Sequence, residues 1–250
     1  MLIVVNAISD KGSQLPTNED MVLVGNNCLR NTSKEYEFDL AAYDYPFLIA
    51  VADGLGGHRS GEYASEFVLK QMARVVNAIP SKLDFIALKK YFANAALTIN
   101  DVVLIESNSY PDRLGMASTF SGVLFYGNKV YMLHIGDSRI YHHSKNKLTQ
   151  LSKDHTLFVQ QGHELAKKNV ISNAFGKVRN IYLDFEEITT QLKDNDQLLL
   201  CTDGLTTELS DTIIEQQLSQ PKSHLRLVEL ANKQSSGDNI SLALIRYIKY

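Results

Sequence analysis

Hydrophobic and polar positions along the chain change period several times, and each change predicts an element. The organising run is Phe47 to Ala52, FLIAVA, which is continuously apolar and of strand length, as suits a strand covered on both faces. It ends in Asp53, after which Gly54, Gly56 and Gly57 keep bulk away from the turn. Leu2 to Ile8, Met21 to Val24 and Tyr36 to Phe38 read as other strands of this half. Ser60 to Ile79 predicts a helix, because Ala64, Phe67, Val68, Met72, Val75, Val76 and Ile79 recur at three- and four-residue spacing. Ser60 suits its cap, Glu62 its first turn and Pro80 its stop. A second helix is expected from Ser81, whose S-x-x-D pattern with Asp84 resembles a capping box. Leu88, Tyr91, Phe92, Ala95, Ile99, Val102 and Val103 carry its apolar stripe to about Glu106.

Beyond Met116 the pattern turns to strands: Ser118 to Tyr126, Lys129 to Ile135 and Arg139 to His142, the first two joined by a Gly127-Asn128 hairpin turn. Leu151 to Gly176 is polar and reads as a partly mobile surface segment. Ile181 to Glu187 and Gln197 to Cys201 read as strands, Ser210 to Leu218 and Ser223 to Lys233 as short helices, and Asn239 to Tyr247 as a final strand. Strands, helices, strands, helices and a last strand give an α+β fold, with a mostly antiparallel sheet covered by helices. No linker, repeat or low-complexity stretch interrupts the chain, so one domain over residues 1–250 is expected.

Composition removes several functions. With 25 basic and 28 acidic residues and a net charge of -3, nothing favours nucleic acid or an anionic membrane as a partner. Two cysteines, Cys28 and Cys201, exclude a disulfide framework and a four-cysteine zinc site, and fit a reducing compartment. The N-terminus lacks the basic lead of a secretion signal, and no apolar run is long enough to cross a bilayer, so the cytoplasm is the expected location. Neither cysteine opens a C-x5-R phosphatase loop, since Lys34 and Thr207 stand where the arginine belongs, and both read as packing residues. No HExxH, G-x-S-x-G or GxxxxGK[ST] motif is present.

The chemistry that remains lies in acids next to glycine or asparagine at strand edges: Asn18-Glu19-Asp20, Asp53-Gly54, Gly136-Asp137, Asp203-Gly204 and Gly237-Asp238-Asn239. Hard divalent ions prefer carboxylate, carbonyl and water oxygens. A pair of such ions roughly 3.5–4 Å apart needs a bridging carboxylate with others on either side. Each motif taken alone is more often an ordinary turn than a ligand.

In order along the chain, NED at 18–20, VADGLGGHRSGE at 51–62, GMAST at 115–119, IGDSRIY at 135–141, LSKDHT at 151–156, CTDGL at 201–205 and SGDNIS at 236–241 resemble the metal-dependent serine/threonine protein phosphatases of the PP2C (PPM) family, in their compact bacterial form. The resemblance implies a four-layer αββα sandwich of two antiparallel sheets flanked by helices, with a two-metal centre at one end. It implies manganese or magnesium, two ions and a third at a weaker site. By the resemblance Asp53 bridges the metals, the Gly54 carbonyl binds one, and Asp203 and Asp238 hold the first. Asp20 and Glu19 act on or through the waters of the second. Asp137 joins Asp203 at the third site, and Asn239 braces Asp238. The implied reaction is hydrolysis of phosphoserine or phosphothreonine in a protein substrate by a water bridging the metals, opposing a protein kinase.

Three positions depart from that pattern. Leu15 stands where bacterial members usually carry a phosphate-gripping arginine, which leaves the grip to the metals or to another cation such as Lys11, Arg59 or Arg113. Leu55 occupies the place of the general-acid histidine of animal members; His58 is the nearest replacement, with a structural role expected for it. The segment between His155 and Gly176 is shorter than the family's usual flap. Leu15 also motivates a second reading, a catalytically weak module that binds phosphoproteins on the same fold.

Overall fold

The computed structural model describes residues 1–40, 45–57, 59–80, 82–157, 170–234 and 237–249, with Arg59 in its backbone alone. Two six-stranded sheets face each other. In the first, β11 (Lys147–Gln150), β10 (Arg139–Ser144), β13 (Gln197–Cys201), β14 (Ile240–Ile248), β1 (Leu2–Asp10) and β4 (Thr32–Asp39) lie side by side. In the second the order is β12 (Asp184–Glu187), β9 (Lys129–Ile135), β8 (Phe120–Tyr126), β5 (Phe47–Ala52), β2 (Met21–Val24) and β3 (Asn27–Leu29). Neighbours in both sheets run antiparallel. A short β6 (Gly54–Leu55) pairs with β7 (Ala117–Ser118) at the rim.

Period-two alternation divides each central strand between two cores. On β5, Ile49 and Val51 point between the sheets while Leu48, Ala50 and Ala52 point outward to the helices. On β13, Leu198 and Leu200 face the space between the sheets and Leu199 and Cys201 face out. Both faces are covered, so these strands read as continuous apolar runs in the sequence. Helices α1 (Arg59–Asn77) and α2 (Phe85–Ser109) close the outer face of the second sheet through Val68, Met72, Leu88, Phe92 and Ile99. The one-turn α3 (Asp203–Thr206), with α4 (Asp211–Leu218) and α5 (Ser223–Lys233), closes the first sheet through Leu205, Ile214, Leu218 and Leu227. The result is the four-layer αββα sandwich. Among the described residues no helix is long and apolar enough to cross a membrane.

Several local expectations are corrected. Ser60 does not cap α1: it lies inside the helix, and its hydroxyl donates back to the Gly56 and Gly57 carbonyls at 2.8 and 2.9 Å. The cap of α2 is Asp84, whose carboxylate accepts from the Ala87 N–H at 2.8 Å, so α2 begins at Phe85; Ser81 lies outside the described residues. Strand β4 reaches from Thr32 to Asp39, longer than its apolar positions suggested, because an edge strand tolerates charges such as Lys34, Glu35 and Glu37. The strand expected at Ile181 to Glu187 is confined to Asp184–Glu187. Of the segment read as mobile surface, residues 158–169 lie outside the described residues, and its flanks are packed. His155 is 3% exposed and Phe175 fully buried, with strand bridges from Thr156 to Ile171 and from Ser118 to Phe175.

Candidate metal centre

Strand polarity brings the acids to one end of the sandwich. Asp20 immediately precedes β2 and Asp53 follows β5, and these strands pair with Met21 opposite Ala52. Asp137 lies in the turn between β9 and β10, Asp203 follows β13 by two residues, and Asp238 precedes β14 by two. The other four are all close enough to press on Asp53. Burial holds the Asp53 carboxyl well above the ordinary carboxylate range, and Asp20, Asp203, Asp238 and Asp137 add to the rise, which makes Asp53 the hub. Burial pushes Asp20 up to about 8, against a bond from Thr202 Oγ1 of 2.7 Å that favours its charged form. Burial likewise raises Asp137 to about 7 and Asp203 to about 6. Asp238, at the rim, is raised by its partial enclosure.

Two further observations suit positive charge there. Asp53 and Asp203 are close enough for each to bear on the other's charge, a pairing that a proton or a cation relieves. Asp137 Oδ1 is buried with no hydrogen-bond partner. Among the described residues no three of the acids are already drawn into an ion-sized cage. The fit therefore rests on charge, on the orphaned oxygen and on an all-oxygen donor set, the chemistry that magnesium and manganese take.

Neutral neighbours hold each acid. Asp53 N–H donates to Thr119 Oγ1 at 2.9 Å and its carbonyl accepts from Thr119 N–H at 2.9 Å. Thr119 Oγ1 is in turn 2.7 Å from Ser138 Oγ, which ties Asp53 to the Asp137 turn. That turn is fixed from behind by His155, whose N–H donates to the Gly136 carbonyl at 2.7 Å and whose Nδ1 accepts from Gly136 N–H at 3.1 Å. Nδ1 being an acceptor, the ring proton sits on Nε2 and points to Asp184 Oδ2 at 3.0 Å. Asn239 does more than brace Asp238. Its backbone N–H donates to Asp238 Oδ1 at 2.8 Å, while its side chain donates to the Lys11 and Thr17 carbonyls and accepts from Glu19 N–H at 2.7 Å. Arg30, which no motif marks, donates to the Asp20 carbonyl at 3.1 Å and to Glu62 Oε1 at 2.9 Å.

Glycines let the backbone close in. A Cβ on Gly61 would stand 1.8 Å from Glu19 Oε2 and 2.7 Å from the Gly54 carbonyl, so both oxygens lie against this bare position. A Cβ on Gly204 would stand 1.9 Å from the Asn239 carbonyl, which is why Asp203 can sit beside Asp238.

Of the cations considered for a phosphate, Arg113 is engaged by Glu106 and packed against the Tyr63 and Tyr110 rings at 4.0 and 4.5 Å. The Lys11 backbone is bonded to Asn239 at the edge of the acids, and its side chain is exposed. His58 and the Arg59 side chain lie outside the described residues. Leu15 and Leu55 are half-buried.

An αββα sandwich with an acid cluster at one end of its sheets is the architecture of protein phosphatase 2C, and the model of that family matches residues 39–240. The chain belongs to this family. Serine/threonine protein phosphatase PstP of Mycobacterium tuberculosis is 31% identical over 259 residues, covering 98% of this chain and 45% of that protein. The chain therefore spans less than half the length of that relative. Serine/threonine phosphatase stp of Listeria monocytogenes is 27% identical over 216 residues, covering 79% of this chain and 83% of that one. The solved S. agalactiae serine/threonine phosphatase superposes with a TM-score of 0.81 at 26% identity, covering 99% of this chain and 100% of that one. The catalytic domain of PstP in complex with two manganese ions superposes at 0.76 with 29% identity and covers 100% of both chains.

Proposed function

We propose that the chain is one phosphatase domain that hydrolyses phosphoserine and phosphothreonine in proteins with two manganese or magnesium ions, opposing a protein kinase. The observation that carries this reading is Asp53, a buried acid with four other acids pressing on it, a charge arrangement that cations would relieve. Asp53 would bridge the ions with help from the Gly54 carbonyl. Asp203 and Asp238 would hold one, and Asp20 and Glu19 would act on or through the waters of the other. Asp137 would join Asp203 at a weaker third site, where its orphaned Oδ1 stands ready. When bound, such a pair supplies Lewis-acid charge for the phosphoryl oxygens and makes water nucleophilic near neutral pH.

The chain's own groups support water as the attacking species. Burial pushes the Cys201 thiol up to about 12 and raises Cys28 as well, so neither offers a thiolate. Leu55 has no proton to give the leaving oxygen, which leaves that proton to water or to another residue of the chain. With Arg113 engaged elsewhere, Lys11, whose backbone carbonyl accepts from Asn239 at the edge of the acids and whose side chain is exposed, is kept as a candidate for the substrate phosphate.

The test is phosphate release from a phosphothreonine peptide with and without manganese, beside Asp53→Asn. Turnover that needs manganese and falls at least about a hundredfold in the variant is expected, since the variant removes charge at the hub. Leu15 favours the alternative of a binding module, and folded protein that holds the peptide without turning it over would establish it.

A further inference from the structure

The main chain that carries Glu19 and Asp20 is gripped by Arg30. This residue follows β3, an edge strand whose Leu29 pairs with Val22, and so comes alongside the start of β2. Its side chain is 13% exposed, and its planar fork bonds in three directions. Nε donates to the Asp20 carbonyl at 3.1 Å and Nη1 to Glu62 Oε1 at 2.9 Å, while Nη2 donates to the Glu62 carbonyl at 2.7 Å and to Ser65 Oγ at 3.1 Å. Ser65, fully buried, extends the grip by donating to the Glu19 carbonyl at 2.5 Å. One guanidinium thus ties the end of β3, the start of β2 and the first turns of α1.

The grip falls on the carbonyls of the two acids. The guanidinium charge is answered by Glu62, with Glu66 Oε2 3.6 Å away, so it is paired with α1. Every peptide group of the two acids has a side-chain partner. Glu19 N–H donates to Asn239 Oδ1 at 2.7 Å, and the Glu19 carbonyl accepts from Ser65. Asp20 N–H donates to Asn18 Oδ1 at 3.1 Å, and the Asp20 carbonyl accepts from Arg30. Asn18 is itself held by Asn31, the residue after Arg30, whose Oδ1 accepts from Asn18 Nδ2 at 2.9 Å.

The helix end of the clamp bears on the same group of oxygens. Glu62 follows Gly61, the bare position against which Glu19 Oε2 and the Gly54 carbonyl lie. Where Arg30 holds Glu62 therefore fixes how far Gly61, and the Gly54 carbonyl packed on it, stand from Glu19 and Asp20. Without the fork these two walls are free to part, and oxygens that serve a metal need placing to within about 0.5 Å.

We propose that Arg30 is a positioning residue of the metal centre: by holding the Glu19–Asp20 main chain against Glu62 of α1, it sets the spacing of the Glu19, Asp20 and Gly54 oxygens and so the affinity for the ion they serve. The inference rests on the reading of the acids as a two-metal phosphatase centre. Lysine carries the same charge on a flexible stem without the fork, so charge and geometry are separable at this position.

The experiment is a calorimetric titration of the metal-free chain with manganese, comparing the unaltered protein with Arg30→Lys and Ser65→Ala, beside thermal melts of the same proteins in chelator. Arg30→Lys should bind manganese at least about tenfold more weakly, as when other groups that orient a metal's ligands are lost. Ser65→Ala, which cuts the Glu19 branch, should bind about fivefold more weakly, the size of one hydrogen bond. It removes an oxygen without adding bulk, so it carries the test should Arg30→Lys fail to fold. Variants that melt lower yet bind manganese as tightly as the unaltered protein would show that the clamp serves the fold alone. Full affinity in Arg30→Lys would show that charge without the fork is enough, and either result overturns the proposal. An unaltered protein that binds no manganese overturns the two-metal reading itself, and this proposal with it.

Discussion

Asp53 has to be held against four neighbouring negative charges, and the groups that hold it are uncharged. Thr119, Ser138, Thr202 and Asn239 position the acids through hydroxyls, amides and backbone bonds, which fix geometry without adding to the repulsion. Asn239→Ala removes side-chain bonds to Lys11, Thr17 and Glu19 at once. At about 1 kcal/mol each, urea unfolding should show a loss of about 2–4 kcal/mol. Manganese titration should show weaker binding, because the Glu19 segment is released. Unchanged affinity with the expected loss of stability would show that Asn239 acts on the fold alone. The acids themselves were legible in the sequence, since each stands beside a glycine or asparagine at the end of an apolar run. Arg30 was not: its role is defined by Asp20 and by Glu62, which lies 32 positions away, and no local pattern announces that pairing.

At the scale of elements, the ends matter more than the middles. Apolar periodicity located most of the helices and strands, but capping decided where α2 begins. Asp84 caps α2 with a bond to the Ala87 N–H, and its loss should cost about 1 kcal/mol in thermal unfolding while peptide dephosphorylation is unchanged. Gly204→Ala makes the opposite pair of outcomes. A methyl 1.9 Å from the Asn239 carbonyl must part the start of α3 from the start of β14, and with them Asp203 from Asp238. Turnover should therefore fall by far more than the melting temperature would suggest. Retained activity would mean that Asp203 and Asp238 need not be adjacent. The flanks of the 151–176 segment show the limit of reading polarity as exposure. His155, Ser152 and Asn173 are polar and buried, because they bond to one another's segments and to the Asp137 turn.

At the scale of the whole molecule, two sheets converge on a charge that the fold cannot neutralise alone. Asp20 near 8, Asp137 near 7 and Asp203 near 6 bind protons in the folded state that the unfolded chain, with ordinary aspartates at 3.8, releases earlier. Folded protein then holds more protons than unfolded protein between those values, so stability of the metal-free form falls as pH rises through that window. Thermal melts with chelator should drop between pH 5 and pH 8 on the order set by these groups. Manganese should reverse the drop at the upper end, since cations bind the charged carboxylates. At a concentration about a hundredfold above its Kd the ion adds about 2.7 kcal/mol, or about 5–11 °C in a chain of this size. A metal-free melt that does not fall over this range would remove the acid cluster as a source of repulsion.

The sequence by itself determined the strand and helix runs, the αββα class through its family motifs, and which acids to watch, because these are recorded in local periodicity and in short turns. Tertiary structure decided what those acids do to one another. Repulsion around Asp53, the orphaned Asp137 oxygen and the Nε2–H tautomer of His155 arise from groups far apart in the chain. Burial and distance fix their energies, and neither quantity exists until the sheets are paired.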